Sequence, residues 1–375
     1  MMRAAAMFGT LADARRLQIA HLFLASDRSP DELHKSCRHP DMKRAAPRES
    51  CKERRWRWNA PSRPPIYASP SQRCWRRLRQ MKDKIAGGHV RNVHRLGVHV
   101  RERVQTFEPF ARQHPYIRVN EKLVDRMLKR LPGRKRYQLL DIAAGTGLMT
   151  RVAHLRARAI GAEIDAVLVD IDLLALREAR KEVPRGAVKG YVCASADWLP
   201  FTEAFDIAVF ANSLHLLDEQ AKVDSLAETR RVLHPGGVLA VNSAFYEGAS
   251  PDKSRPFYGR WIRRSIAEIN QAMPHRKKSD RAQATRSLPA SGYTELIACA
   301  GFQILEVRER CVLLSQAAVR AISSYRDFAM GALRATDEDA DAASHALQAT
   351  VQPTFRDLQM KYLPRKWLEI IAVKA

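Results

Sequence analysis

A chain of 375 residues, 46% hydrophobic and 28% charged, has room for one large domain or two ordinary ones. That balance excludes a disulfide-stapled miniprotein, a collagenous chain and a wholly disordered one. Lys and Arg number 64 against 40 Asp and Glu, a formal net charge of +24. The surplus favours phosphates and anionic surfaces without saying anything about fold. No apolar run approaches the ~18–20 residues a spanning helix needs, so none is expected.

Residues 1–80 hold 18 basic and 7 acidic residues, a net of +11 in about a fifth of the length. Stretches 52–58 and 73–79 alternate arginine with tryptophan, and Pro61, Pro64, Pro65 and Pro70 lie between them. Only residues 11–24 suggest a short helix. This segment reads as a disordered basic extension, with Met81 a candidate working start. A nucleic-acid arm with stacking tryptophans is the competing reading. A targeting peptide would be poor in acids, and Asp13, Asp27, Asp31, Glu32 and Asp41 count against it. His34, Cys37, His39 and Cys51 lack the paired spacing of a zinc site. Six scattered cysteines without a CxxC read as reduced thiols in a cytoplasmic protein, and no metal is expected.

Residues 81–136 read as an N-terminal helical cap, with helices at 98–110 and 120–131. From 137 to 375 strands alternate with helices. The strands are expected at 137–142, 166–170, 190–194, 205–211, 237–243, 302–308 and 367–373. Between them lie helical patterns at 148–159, 173–182 and 221–233. The first five strands are short apolar runs, as for strands covered on both faces. The alternation implies βαβ crossovers and a mainly parallel, Rossmann-like α/β sheet of seven strands with helices on both faces. Two long stretches, 245–290 and 315–364, interrupt the pattern as helical insertions. Loops of that length at the carboxyl edge of such a sheet serve as lids or binding elements.

The first βα connection carries the densest signal. Asp141 ends a strand, and Gly145 and Gly147 follow where the backbone turns sharply into a helix. Asp141 suits a cationic amine. Asp170, tipping the next strand, suits a ribose diol. The third glycine of a dinucleotide-binding G-x-G-x-x-G is absent, since Leu148, Met149 and Thr150 follow Gly147.

On these residues the chain resembles the class I S-adenosylmethionine-dependent methyltransferases, in their small-molecule, ubiquinone/menaquinone-biosynthesis-like branch. The first motif resembles Asp141-Ile-Ala-Ala-Gly-Thr-Gly147, with Ala143 where a glycine is usual. Residues 194–201, 231–237 and 300–302 resemble the family's G-D-A-x-x-L-P-F, R-V-L-K-P-G-G and A-G-F stretches, with His234 for lysine. The resemblance implies S-adenosyl-L-methionine as cofactor, held by Asp141, Ala143, Gly145, Gly147, Asp170, Ile171, Ser195, Ala196 and Asn212. Ser195 stands where an aspartate often contacts the adenine amine. Ser195 itself, Asp197, or backbone together with packing by Ile171 and Ala196 could replace that contact, the Ala196 backbone with Ser195 assisting being the favoured reading.

Methyl transfer from a sulfonium is an in-line displacement, and a general base is needed only if the nucleophile arrives protonated. His215, after the fourth expected strand of the sheet, is the candidate catalytic residue as that base, the other reading being that it orients a loop or packs beside the cofactor. Tyr246, Tyr258 and His275 are weaker candidates. The insertions contain Tyr246, Phe257, Tyr258, Trp261 and the basic run Arg276-Lys277-Lys278, and the N-terminal helices add Phe107, Phe110, His114 and Tyr116. An aromatic lid of this kind suits a small organic acceptor. Asn212-Ser-Leu-His215 has neither the proline nor the aromatic of the motif in nucleic-acid amino-methylating members. RNA methylation is the second reading, and a non-catalytic cofactor- or RNA-binding scaffold the third.

Overall fold

The computed structural model of the chain describes residues 21–24 (backbone only), 107–279 and 287–375. The described residues all belong to one compact unit spanning Met1–Arg28 and Val104–Ala375. The arginine–tryptophan stretches and Cys37, Cys51 and Cys74 lie outside the described residues.

Helices α1 (Glu108–Ala111) and α2 (His114–Leu128) lead into strand β2 (Arg136–Ile142). Then come α3 (Leu148–Ala159), β3 (Glu163–Asp170), α4 (Leu173–Glu182), β4 (Val188–Cys193) and β5 (Phe205–Ala211). Helix α5 (Glu219–Val232) precedes β6 (Leu233–Ser243). The first insertion supplies α6 (Arg255–Ala272) and leads to α7 (Ala290–Cys299) and β7 (Phe302–Leu314). The second supplies α8 (Gln316–Ser323), α9 (Arg326–Leu333) and α10 (Ala340–Asp357) before β8 (Leu363–Lys374).

With β1 (His21–Leu24), the sheet runs β1-β4-β3-β2-β5-β6-β8-β7. Strands β4, β3, β2, β5 and β6 are mutually parallel, and β8 pairs antiparallel with both β6 and β7. All seven expected strands form. Residues 21–24, expected to end a helix, instead pair antiparallel with β4. The outer edge of β4 offers unpaired backbone groups, and a four-residue strand takes them up.

Boundaries moved where local chemistry overrides the apolar pattern. Helix α2 starts at His114, six residues before the expected 120, because a proline in its first turn pre-sets φ and lacks only an N–H that would go unused. The expected helix 98–110 is described only from Glu108, where it is a single turn. Strand β6 begins at Leu233, the Pro235-Gly236-Gly237 turn being absorbed as a register shift between Phe205↔Leu233 and Ile207↔Val238. Strands β7 and β8 extend beyond the expected 302–308 and 367–373, pairing through Leu314↔Leu363. Their outer ends carry charge, such as Arg308, Glu309 and Arg310, that masked the strand pattern. This ribbon is the stem of the second insertion.

The central strands are buried on both faces. Leu140, Ile142, Val167 and Val169 point to one face with Leu226 of α5 and Tyr293 and Ile297 of α7. Leu139, Ala166 and Leu168 point to the other, against Leu123 and Met127 of α2, Val152 of α3 and Leu176 of α4. A third apolar cluster lies among the insertions, where Phe110, Tyr116, Phe257, Trp261, Leu347, Phe355 and Trp367 pack. Trp261 Nε1 donates to the Leu347 carbonyl at 3.0 Å and Ser265 meets Thr350 at 2.6 Å, so α6 and α10 join the two insertions into one helical layer.

Strands are added outward from β2 through β3 to β4, then on its other side through β5 to β6. The order reverses between β2 and β5, which opens a crevice at the carboxyl ends of the strands. Register matches Asp141 with Leu168 and Val209, so the loop after β2, the end of β3 and the end of β5 share one edge.

Candidate active site

The loop after β2 is shaped by three residues with left-handed backbone: Ala143 (φ 53°), Gly145 (φ 54°) and Gly147 (φ 78°). Gly147 serves packing. A Cβ there would lie 2.5 Å from Val183 Cγ2 and 3.0 Å from Leu168 Cδ2. Gly145 serves access, since a Cβ there would meet nothing within 4 Å. Ala143 bears a Cβ in a conformation that costs about 1–2 kcal/mol for an L-residue.

Gly147 has no side chain with which to cap α3, and Asp141 does so from the strand. Its Oδ2 accepts from the Thr150 backbone N–H at 3.1 Å and from Thr150 Oγ1 at 2.8 Å. Asp141 is 1% exposed. Burial pushes its carboxyl up to about 7, against the pull of the Thr150 bonds and with a smaller push from Asp170. Asp141 thus ties the strand to the helix within the loop.

Asp170 stands beside it at the end of β3. Its Oδ2 accepts from Gly145 N–H at 2.8 Å and its Oδ1 from Asp172 N–H at 2.9 Å. Burial raises its pKa, partly offset by these backbone donors. Each carboxylate oxygen keeps a second lone pair for a further donor. Ile171, the next residue, is 65% exposed. An isoleucine so placed covers no core of its own. Ala196 is buried, and the Ser195 carbonyl accepts from Trp198 N–H at 3.2 Å. The strand ends therefore bring together the Gly145 cleft, the Asp170 carboxylate and the Ile171 side chain.

At the end of β5, Asn212 is also left-handed (φ 55°). Its Oδ1 accepts from Ala244 N–H at 2.8 Å, fixing the start of the first insertion against β5. His215, in the short 3-10 turn that follows, is 4% exposed and stacks on Phe245 with centroids 4.3 Å apart and planes 17° apart. Its Nδ1 has no hydrogen-bond partner. Burial, then the nearby Lys222 and Arg365 charges, depress its pKa to about 3, so the ring is neutral at physiological pH.

Asn212 and Phe245 open onto an apolar pocket. Its wall includes Phe110 of α1, Tyr258 and Trp261 of α6, Ile322 and Phe328 of the second insertion, and Arg365 and Trp367 of β8. Of the aromatics expected to form a lid, Phe110, Tyr258 and Trp261 line this pocket. Tyr116, Tyr246 and Phe257 are buried and do not. His114, His275, Lys277 and Lys278 are exposed, and Arg276 bonds Asn270 and the Arg334 carbonyl. The basic run therefore does not line the pocket.

Three neighbours were not visible in the sequence. Glu108 of α1 accepts from Thr146 Oγ1 and pairs with Arg151 at 3.0 Å, clamping the first helix onto the glycine loop. Tyr325, between α8 and α9, meets the Phe107 ring at 5.5 Å and donates to Asp327 at 2.7 Å. Burial raises its pKa, and the charges of Asp327, Asp170 and Asp172 push the same way, placing this tyrosine in the field of the acidic strand end. Arg365 reaches the pocket from a strand whose sequence reads only as sheet. Each acts across more than a hundred residues or through a one-turn helix, where periodicity carries no signal. Among the described residues no group of three His, Cys, Asp or Glu could hold a metal, and no helix is long and apolar enough to cross a membrane.

Residues 140–241 match the family model described as a methyltransferase domain. Over 108 residues the chain is 37% identical to the ubiquinone/menaquinone biosynthesis C-methyltransferase UbiE of Stutzerimonas stutzeri, covering 28% of this chain and 40% of that protein. Over 112 residues it is 36% identical to the UbiE of Idiomarina loihiensis, covering 29% and 43%. The chain thus spans less than half the length of these curated relatives. Among solved structures it is similar to a putative methyltransferase from Bacillus halodurans, with 16% identity, a TM-score of 0.42, and coverage of 67% of this chain and 98% of that one. The matched residues 140–241 hold the glycine loop, both strand-end acids and Asn212, so the likeness to the methyltransferase domain falls on the site just described.

Proposed function

We propose that this chain transfers a methyl group from S-adenosyl-L-methionine to a small organic acceptor by in-line displacement. The observation that carries the reading is Asn212. It ends the strand beside the glycine loop and also lines the apolar pocket built by the insertions, so a donor crevice and an acceptor pocket share one wall. The residues present fit the cofactor: Gly145 leaves open space, Asp170 keeps acceptor capacity for a diol, and Ile171 offers an exposed apolar surface for a planar base. When bound, the cofactor supplies an electrophilic methyl on a sulfonium that is already an activated leaving group.

The protein's part is positioning and exclusion of water. Asp141 holds the glycine loop through Thr150, and Glu108 clamps α1 over it. Ile171, Ala196 and Ser195 form the adenine side, with Ser195 as the polar contact. His215 acts through Phe245: the neutral, stacked ring fixes that wall of the acceptor pocket, a positioning role that fits its burial better than proton transfer. No Asp, Glu, His or Lys lines the pocket. Such a wall suits an acceptor whose nucleophile needs no enzymatic base.

The reading is tested by calorimetry with S-adenosylhomocysteine. The full chain binds it, and Asp170→Ala weakens binding by about 1.5–3 kcal/mol, the range for losing charge-assisted hydrogen bonds. Unchanged affinity in that variant would remove Asp170 from the site and the donor crevice with it. Labelled donor incubated with a panel of small acceptors, scored by mass gain, then identifies the methylated class.

A further inference from the structure

The acceptor pocket contains one formal charge. Its lining is otherwise aromatic and aliphatic apart from the Asn212 amide, the Tyr258 hydroxyl and the Trp indoles, and that charge is the Arg365 guanidinium. The guanidinium lies over the Phe245 ring at 5.2 Å and over the Tyr258 ring at 5.3 Å. Its Nε donates to the Ala244 carbonyl at 3.1 Å, Nη2 donates to the same oxygen, and Nη1 donates to Ser250 Oγ at 3.0 Å. Both acceptors are neutral, and two of the five N–H groups remain beyond these three bonds. No carboxylate pairs with Arg365 among the described residues. By contrast, Arg126 and Arg310 share Glu369, and Arg151 has Glu108 and Glu182.

A half-buried cation among rings and carbonyls is stabilised by cation–π contact and hydrogen bonds, and no carboxylate among the described residues is ion-paired with it. An anion entering the pocket would meet that charge where water screens it least. The planar fork, already oriented by Ala244 and Ser250, presents its remaining donors to a carboxylate without further ordering. The flanking rings of Phe245 and Tyr258, with Trp261 and Phe328 in the same wall, favour a flat apolar body attached to that anion.

We infer that Arg365 selects an acceptor that is an apolar, ring-bearing carboxylate, held by its anionic oxygens at the guanidinium while the ring lies between the aromatic walls. The inference rests on the proposed acceptor pocket, and it makes Arg365 a specificity-determining residue rather than a participant in methyl transfer.

The test uses benzoate and its neutral isostere benzamide, with affinities for the full chain measured by ligand-detected NMR titration. Benzoate is expected to bind at least tenfold more tightly than benzamide. Arg365→Gln should bring the two within threefold by weakening benzoate alone, and Arg365→Lys should recover part of the preference. S-adenosylhomocysteine affinity, measured in parallel, should be the same in all three proteins. Equal binding of the two probes to the natural chain, no detectable benzoate binding, or equal loss of both probes in Arg365→Gln would each overturn the inference. Loss of both probes would show that Arg365 only braces the Ala244–Ser250 loop. Failure of S-adenosylhomocysteine to bind while benzoate preference persists would instead strike the proposed activity and leave the anion site standing.

Discussion

His215 shows how burial rather than sequence context sets the chemistry of a residue. Sealed under Phe245 with Nδ1 unpartnered, its imidazole stays neutral in the folded chain down to about pH 3, whereas the unfolded chain protonates near 6.5. A depressed folded pKa contributes stability that is present above 6.5 and lost as the pH falls toward 3, at up to about 1.4 kcal/mol per pH unit. Asp141 works the other way. Its carboxyl is raised to about 7, so its contribution is full below the ordinary aspartate range and is lost as the pH rises through 7. Comparing His215→Phe with the natural chain isolates the histidine. Urea denaturation at pH 7 and pH 5 should show the variant gaining about 2 kcal/mol relative to the natural chain across that interval, with the stacking on Phe245 kept. A constant difference at the two pH values would mean the imidazole is not held neutral. The type and position of His215 were readable from the residues after the strand; its environment was not, because Phe245 belongs to a segment thirty positions away.

The glycine loop illustrates the element scale, where two glycines that look alike in sequence do different work. Gly147 sits against Val183 and Leu168, and a methyl group there must displace packed side chains as well as adopt φ 78°. Gly147→Ala is expected to cost about 2–4 kcal/mol of stability, combining overpacking with left-handed strain. Gly145→Ala meets only the strain, about 1–2 kcal/mol, because its Cβ would project into open space. That projection should nevertheless cut S-adenosylhomocysteine affinity at least tenfold. Denaturation midpoints and calorimetry on the two variants separate these effects, and an unaltered affinity in Gly145→Ala would put the cofactor elsewhere. The loop's position between a strand and a helix was legible because Asp141, Gly145 and Gly147 are close in sequence and the apolar period changes across them. Which glycine packs and which gives access depends on Val183, contributed by the next βα unit.

For the whole molecule, the excess positive charge separates two readings of the function. The described unit holds the candidate site in residues 107–375 and takes from the first eighty residues a four-residue edge strand. That strand pairs with β4 at the margin of the sheet, away from the β2–β5 reversal. Deleting residues 1–80 should therefore leave S-adenosylhomocysteine affinity within threefold. If the basic segment serves RNA, filter binding of the full chain to single-stranded RNA should fall steeply with salt and be abolished by the same deletion. Salt-insensitive or absent RNA binding would leave the small-acceptor reading alone.

The sequence by itself determined the α/β alternation, the seven expected strands and the likeness of the central segment to a methyltransferase domain. Each of these rests on residues close along the chain: apolar runs that must be covered on both faces, and turn glycines between a strand and a helix. Only the tertiary structure decided the acceptor pocket. Phe110, Asn212, Tyr258 and Arg365 are apolar, amide, phenolic and charged side chains spread over more than 250 positions, and none follows a period the others share. They meet because the β7–β8 ribbon carries the second insertion back over the first, an outcome of long-range packing that leaves no local trace.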